Sequence, residues 1–250
     1  MISTDGLIIY GDTGSPWSIG PQGDRTLLLI HTSDNTPQVD IGRKCAYVAQ
    51  VLRTANIPGI SDIVPAFNTV ALHFKPKLFG PSPNFKNLAS HVQKILASTD
   101  LSAYTQTTPR TIEIPVCYGG EYGPDLEDVA RHCGLSPAEV IELHSSSDAY
   151  VFMLGFAPGA PYIGVHDQRL HIGRRSTPRL ALPAGAVSMA NCQTIIYPNI
   201  SPGGWHVIGN TPVKLFDPET EPSTLLHVGD MIRFVPITVD DYLALQGHSL

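Results

Sequence analysis

No apolar run in the 250 residues approaches the roughly 20 needed to span a bilayer. Charge is also scarce: Lys, Arg, Asp and Glu make up only 15% of the chain, and their balance is −6. An acidic protein is repelled by phosphate backbones and anionic lipid surfaces, so neither nucleic acid nor membrane is expected as a partner. The start, MISTDGLIIYGDTGSPW, has no basic region ahead of an apolar stretch and no small-residue cleavage site, unlike a secretory signal. The four cysteines, Cys45, Cys117, Cys133 and Cys192, form no C-x-x-C pair, and reduced thiols in a cytoplasmic protein are expected. Familiar chemistries are missing too. There is no G-x-x-x-x-G-K-[ST] phosphate loop, strand-borne G-x-G-x-x-G, G-x-S-x-G elbow or H-E-x-x-H zinc pair. His166 and His171, the one close histidine pair, lack an evident third ligand and read as solvated loop residues; no metal is expected.

What the chain does have is a hydrophobic content of 42%, enough to bury a sizeable core without staples, and an excess of glycine and proline. These two types supply 44 residues, 17 of them between Gly155 and Pro222, which excludes long helices from that stretch. Before it, periodicity reads as strand 26–31, a helix through Cys45, Val48, Ala49, Leu52 and Ala55, and strands 62–66 and 69–74. A helix through Phe85, Leu88, Ala89, Val92, Ile95 and Leu96 and a strand at 111–116 follow. The order β-α-β-β-α-β is that of the split βαβ, ferredoxin-like motif. Short helices follow at 124–130 and 136–143, the second with Ser136 as N-cap, Pro137 at the first turn and Glu139 closing a capping box. From Ala149 onward short apolar runs alternate with turns, as in a barrel or sandwich: Y-V-F-M-L, L-A-L-P, Q-T-I-I-Y, W-H-V-I, V-K-L-F and M-I-R-F-V. The expected organisation is an α+β domain over 1–116, a helical connector over 117–148 and an all-β domain over 149–250, with a short helix at the end.

The densest motifs are G-F-A-P-G-A-P-Y-I-G (155–164), R-R-S-T-P-R (174–179), L-P-A-G-A-V (182–187), Q-T-I-I-Y-P (193–198) and S-P-G-G-W-H-V-I-G-N-T-P (201–212). With G-D-R-T-L-L-L (23–29), P-G-I-S-D-I-V-P-A (58–66), I-P-V-C-Y-G-G-E-Y-G-P-D-L (114–126), G-L-S-P-A-E-V-I-E-L-H (134–144) and G-D-M-I-R-F-V-P-I (229–237), they span nearly the whole chain in one family's order. The sequence resembles the 5-oxoprolinase B-subunit family, also described as allophanate hydrolase subunit 1, and is similar to the sporulation kinase-A inhibitor family. The resemblance implies a ferredoxin-like N-terminal domain followed by a cyclophilin-like β-barrel. It also implies work with a C-subunit-like and an A-subunit-like protein, turning 5-oxoproline, ATP and water into glutamate, ADP and phosphate. ATP enters as co-substrate by resemblance alone, since no nucleotide-binding motif is present. The alternatives it leaves are a non-catalytic inhibitor of a sensor histidine kinase and a divergent allophanate hydrolase-like subunit. Three positions depart from the family pattern: Ala160 in place of an aromatic residue at the wall or rim of the expected cleft, Asn191 in place of a glycine-like residue, and Asn210 in place of a basic one.

Candidate ligand contacts follow from residue chemistry. Arg175 and Arg179 offer paired N–H donors to a carboxylate or phosphoryl group; the alternative is a solvated loop or a rim facing an acidic partner. Gln193 and Tyr197, on one face of a strand, offer neutral hydrogen bonds to a lactam, or else belong to a polar edge. Gly203 and Gly204 permit positive φ and an anion-binding nest beside Trp205, which walls the pocket or anchors a core. Phe156, Pro158, Gly159 and Tyr162 form a stiff loop that the resemblance places at a cleft wall. His144 and Asp125 read as helix-terminal residues and Asp217 as a turn residue. No catalytic residue is assigned.

Overall fold

A computed structural model describes residues 16–32, 38–75, 84–106, 108–146 and 148–246. The chain divides into two compact units, 1–108 and 109–250. In the first, β1 (Trp17–Gln22), β2 (Thr26–His31), β3 (Ile60–Ala66) and β4 (Thr69–Phe74) form a sheet ordered β1-β2-β4-β3, antiparallel throughout. Helix α1 (Gln38–Thr54) turns Ile41, Cys45, Val48, Ala49 and Leu52 inward at spacings of three and four, the stripe expected of a helix on a sheet. Helix α2 (Phe85–Ala97) does the same with Leu88, Ala89, Val92 and Leu96, and starts where the Asn84 side chain accepts the Asn87 amide at 3.0 Å. Strands β2 and β3, joined through α1, flank β4 on either side.

The strand expected to complete that sheet is not in it. The fourth position belongs to β1, which pairs with β2 through a tight hairpin, so the order within the unit is β-β-α-β-β-α. Strand β5 (Thr111–Tyr118) instead pairs with β12 (His206–Asn210) and β13 (Met231–Pro236) in the second unit, and the boundary expected at 116 moves to 108/109. Periodicity identifies a strand but carries no information on its hydrogen-bonding neighbour, and the Gly20-Pro21 punctuation disguises β1.

The second unit is a closed seven-stranded barrel ordered β10-β7-β6-β13-β5-β12-β9. Its strands are β5, β6 (Ala149–Leu154), β7 (Pro161–Gly164), β9 (Ala186–Ala190), β10 (Gln193–Ile196), β12 (His206–Asn210) and β13 (Met231–Pro236). Closure removes exposed edges. A separate ribbon pairs β8 (Arg179–Leu182) with β11 (Ser201–Gly203). The expected run V-K-L-F contributes only an isolated bridge from Phe216 to Thr224.

The segment expected as a connector is part of this unit. Leu126, Val129 and Ala130 of α3 (Leu126–Cys133) and Val140 of α4 (Pro137–Ser145) share one buried core with Ile114, Val116, Val151, Ile163, Met189, Ile208 and Phe234 of the strands. Ser136 and Glu139 form the capping box at the start of α4. A short α5 (Val239–Leu245) follows the barrel, and no helix among the described residues is long and apolar enough to cross a membrane.

This partition predicts how fragments behave. A chain beginning at 109 keeps β5 and is expected to unfold in one cooperative urea transition. A chain beginning at 119 lacks β5 altogether, leaves the neighbouring ladders of β12 and β13 unpaired and is expected to show none.

Candidate functional site

The residues that shape the site come from four loops and strand ends of the barrel unit. Between β6 and β7 the chain turns sharply: Gly155 N–H donates to Ala160 O (3.0 Å), Ala160 N–H donates to Ala157 O (3.0 Å), and Phe156 adopts a φ of 71°. That left-handed conformation is costly for an aromatic residue, and it holds the ring 60% exposed at the mouth of a cleft. The cleft, of about 190 Å³, is lined by Phe156, Tyr162, Ile195, Tyr197 and Trp205 together with Arg174, Arg175 and the Pro202-Gly203-Gly204 segment. Phe156 meets Tyr197 edge-on at 5.9 Å, and Tyr162 meets Trp205 likewise at 5.9 Å. The Arg174 guanidinium sits over the Trp205 ring, 6.0 Å from its centroid. Burial raises the Tyr162 and Tyr197 phenol pKa values, so both stay protonated.

Beneath the aromatic walls lies a small apolar layer of Ala160, Leu182, Ala186, Ala190, Ile195, Tyr197, Trp205 and Val207. Ala160 is fully buried in it, so its departure from the family pattern alters the packing under the cleft and not its rim. Trp205 belongs both to the layer and to the wall. Gly203 is needed where it stands: a Cβ there would come within 2.3 Å of the Tyr197 hydroxyl and 2.6 Å of Leu182.

Seven of the expected contacts therefore meet in one cleft: Phe156, Tyr162, Arg175, Tyr197, Gly203, Gly204 and Trp205. Four do not line it. Pro158 is exposed, while Gly159 packs against Leu215 and Phe216. Gln193 opens β10 beside Gly164 and is not among the residues that line the cleft. Arg179 is committed elsewhere. The expected glycine nest also does not form, since neither Gly203 nor Gly204 has positive φ and 201–203 is an extended strand paired with β8.

Arg179 and Arg175 converge on Asp125, whose side chain is 3% exposed. Arg179 donates from Nη1 to Oδ2 (2.6 Å) and from Nη2 to Oδ1 (2.8 Å), and Arg175 donates from Nη1 to Oδ1 (2.7 Å). The Val207 amide adds a fourth bond to Oδ2 (2.8 Å), while the Asp125 amide donates to Val207 O (2.9 Å). Burial opposes ionisation of this carboxyl, but the bonds from Arg179 and Val207 and the two guanidinium charges outweigh it, and its pKa falls below the ordinary value. Asp125 precedes α3 as expected, yet its side chain makes no capping bond. Sequence reasoning missed it because its partners lie 50 and 54 residues away. Arg174 retains no ion pair among the described residues and is the uncommitted cation of the cleft.

The other face of β10 leads to a second polar group. Tyr118 Oη lies 2.7 Å from His144 Nδ1, His144 Nε2 lies 2.9 Å from Thr194 Oγ1, and Thr194 Oγ1 lies 2.8 Å from His166 Nε2. The imidazoles stack at 4.7 Å, with Phe234 against His144 at 4.3 Å. His144 is thus an interior residue and not a cap, and His166 is not a solvated loop residue; its Nδ1 has no partner among the described residues. Burial drives the pKa of His144 well below the ordinary value, helped by His166, and lowers that of His166 to about 4. His171 is exposed, and no group of three or more His, Cys, Asp or Glu side chains among the described residues is arranged to hold a metal.

The remaining departures from the family pattern have local reasons. Asn191 and Cys192, with φ of 53° and 58°, form the two-residue turn of the β9–β10 hairpin, a conformation asparagine tolerates better than most residues. Asn210 is buried, donating to Ala184 O (3.1 Å) and accepting from the Tyr242 hydroxyl (2.9 Å).

Comparison with known proteins defines the class. Residues 17–226 match the family described as "Carboxyltransferase domain, subdomain C and D", and the chain belongs to that family. Within it the chain is a member of the 5-oxoprolinase B-subunit group. It is 38% identical to the 5-oxoprolinase B subunit of Bacillus subtilis over 93% of this chain and 98% of the relative. It is 42% identical to that of Escherichia coli O157:H7 over 74% and 81%. Among solved structures, TTHA0988 superposes with a TM-score of 0.70 at 32% identity over 85% of this chain, which spans only 40% of that protein. Kluyveromyces lactis urea amidolyase shares the fold, with a TM-score of 0.72 at 14% identity, over 98% of this chain and 17% of its own.

Two outcomes follow from the site. Asp125→Ala strands two partly buried guanidinium groups and is expected to lower the unfolding free energy by about 3 kcal/mol in chemical denaturation, whereas Arg174→Ala, on an exposed side chain, shifts it by less than about 0.5 kcal/mol. The buried histidines make stability fall with acid. An unfolded histidine binds protons near pH 6.5 and folded His166 only near 4, so the unfolded state is favoured increasingly as pH drops through that window. Between pH 7.5 and 5 His166 alone removes about 2 kcal/mol, and denaturation of His166→Asn at both pH values is expected to show a correspondingly smaller difference.

Proposed function

We propose that this chain is the B subunit of an ATP-dependent 5-oxoprolinase, acting with A-subunit-like and C-subunit-like partners to convert 5-oxoproline, ATP and water into glutamate, ADP and phosphate. Family membership supports the class. The observation that carries the reading to a substrate is the cleft itself: an uncommitted Arg174 beside neutral tyrosine hydroxyls and apolar walls, within a protein of net charge −6. A 5-oxoproline molecule has one carboxylate, one neutral ring amide and an apolar ring edge. Arg174 supplies a charged partner for the carboxylate, with Arg175 holding the adjoining loop through Asp125 and through its amide bond to Gly204 O (2.8 Å). Tyr162 and Tyr197 remain hydrogen-bond donors, and Phe156 and Trp205 face the ring.

Opening an unstrained lactam is uphill, and activation of its carbonyl oxygen by phosphoryl transfer from ATP supplies the driving force. We assign ATP to the assembled complex as co-substrate and this chain to substrate binding and positioning. We read the closed barrel as the cyclophilin-like domain of this family. The setting we infer is cytoplasmic, where the free thiols stay reduced.

A second reading, a non-catalytic inhibitor of a sensor histidine kinase, is favoured by one feature. Large apolar side chains are exposed at and beside the cleft segments: Phe156 (60%), Leu180 on β8 (93%) and Ile200 just before β11 (73%).

Reconstitution with purified A and C subunits separates the two. The expected outcome is ATP-dependent glutamate formation that requires this chain. Arg174→Ala is expected to raise the KM for 5-oxoproline at least tenfold, in line with the ~1.5–3 kcal/mol of a hydrogen bond to a charged group. A verified three-subunit complex without turnover, joined by saturable inhibition of kinase autophosphorylation, would favour the second reading.

A further inference from the structure

The first unit contains a pocket that the proposed reaction does not use. It has a volume of about 380 Å³, within the ~300–1,000 Å³ range of small-molecule sites. Trp17 and His31 stand directly opposite each other across β1 and β2, with rings edge-to-face at 5.0 Å, and form one wall. Lys44 and Val48, one turn apart on α1, form another. The short 3-10 turn Leu101–Gln106 closes the third side with Leu101 and Tyr104. The Lys44 ammonium lies 5.6 Å from the Tyr104 ring centroid.

Lys44 is the informative residue. It is half-buried, and no carboxylate of the described residues lies within 4.0 Å of its Nζ, Asp40 one turn earlier on α1 included. An ammonium at the edge of an apolar, aromatic-walled space is partly stripped of water with only a ring face in return. A neutral apolar ligand would deepen that cost, and an inorganic anion would leave the walls wet. A molecule with an apolar or aromatic body and a single carboxylate satisfies both surfaces.

We propose that this pocket of the N-terminal unit is a binding site for a small aromatic or apolar monocarboxylate, with Lys44 pairing the carboxylate and Trp17, Val48, Leu101 and Tyr104 enclosing the body. The described residues that line the site all belong to the N-terminal unit.

The chain has two tryptophans, Trp17 and Trp205, so in Trp205→Phe the fluorescence comes from Trp17 alone. Phenylacetate is the probe and 2-phenylethanol its uncharged counterpart. The expected result is a saturable change with a Kd below about 1 mM for phenylacetate, at least tenfold weaker binding of 2-phenylethanol, and at least tenfold weaker phenylacetate binding in Lys44→Met with unchanged circular dichroism. Lys44→Arg is expected to keep the affinity within about threefold, because charge and not shape is the requirement. Equilibrium dialysis of phenylacetate against the otherwise unmodified chain and its Lys44→Met form gives the same comparison without the tryptophan substitution. Absence of saturation up to about 10 mM in both measurements, equal affinity for the alcohol, or unaltered affinity in Lys44→Met would each overturn the assignment.

Discussion

The carboxylate of Asp125 is the point on which the barrel unit's functional face depends. It accepts three hydrogen bonds from two arginines and one from the Val207 amide, and so joins the start of α3, strand β12, the 174–178 loop and ribbon strand β8. A buried charge is tolerated only when such bonds replace its hydration, and both of its oxygens are engaged here. The approach of the backbones is equally specific. A Cβ on Gly123 would lie 2.0 Å from Ile208 O, so only glycine lets the β5–α3 turn reach β12 and deliver Asp125 to this position. Arg175 and Arg179, the two arginines that sequence chemistry offered to a ligand, are engaged in holding this assembly, leaving Arg174 as the cation that faces outward.

Strand β10 divides the unit into two chemical environments. Ile195, and Tyr197 just beyond the strand, serve the cleft and its apolar layer, while Thr194 and Ile196 point into the barrel. The interior side holds a chain of hydroxyl and imidazole groups linking Tyr118, His144, Thr194 and His166 across elements far apart in sequence. Desolvation keeps both imidazoles neutral, so they act as polar packing pieces whose cost appears only when acid offers protons to the unfolded chain.

The N-terminal unit shows how a correct local reading yields an incorrect assembly. Every helix and strand read from periodicity between 26 and 97 exists, and 111–116 is a strand, yet that strand closes the barrel alongside β13 while β1 takes the edge of the first sheet. Side-chain alternation reports which face of a strand is buried; pairing depends on which backbone arrives beside it. The same limit hid the role of α3 and α4, both legible as short helices, whose burial against the barrel makes them core and not connector.

By itself the sequence determined the helices, the strands at 26–31, 62–66, 69–74 and 111–116, the capping box of α4, the change from helical to strand periodicity near 149, the family, and the aromatic and glycine-rich segments that meet in the cleft. Those properties are local, written within windows of a few residues or in ordered motifs. Only the tertiary structure decided that Gln193 and Gly159 stay out of the cleft lining, that His144 and His166 are interior partners, and that Arg179 answers to Asp125. Each of these rests on contacts between residues more than 20 positions apart. The physical reason is that hydrogen bonding and desolvation act through space: a residue's type states what it can bond, and only its neighbours in the fold state what remains free to bind something else.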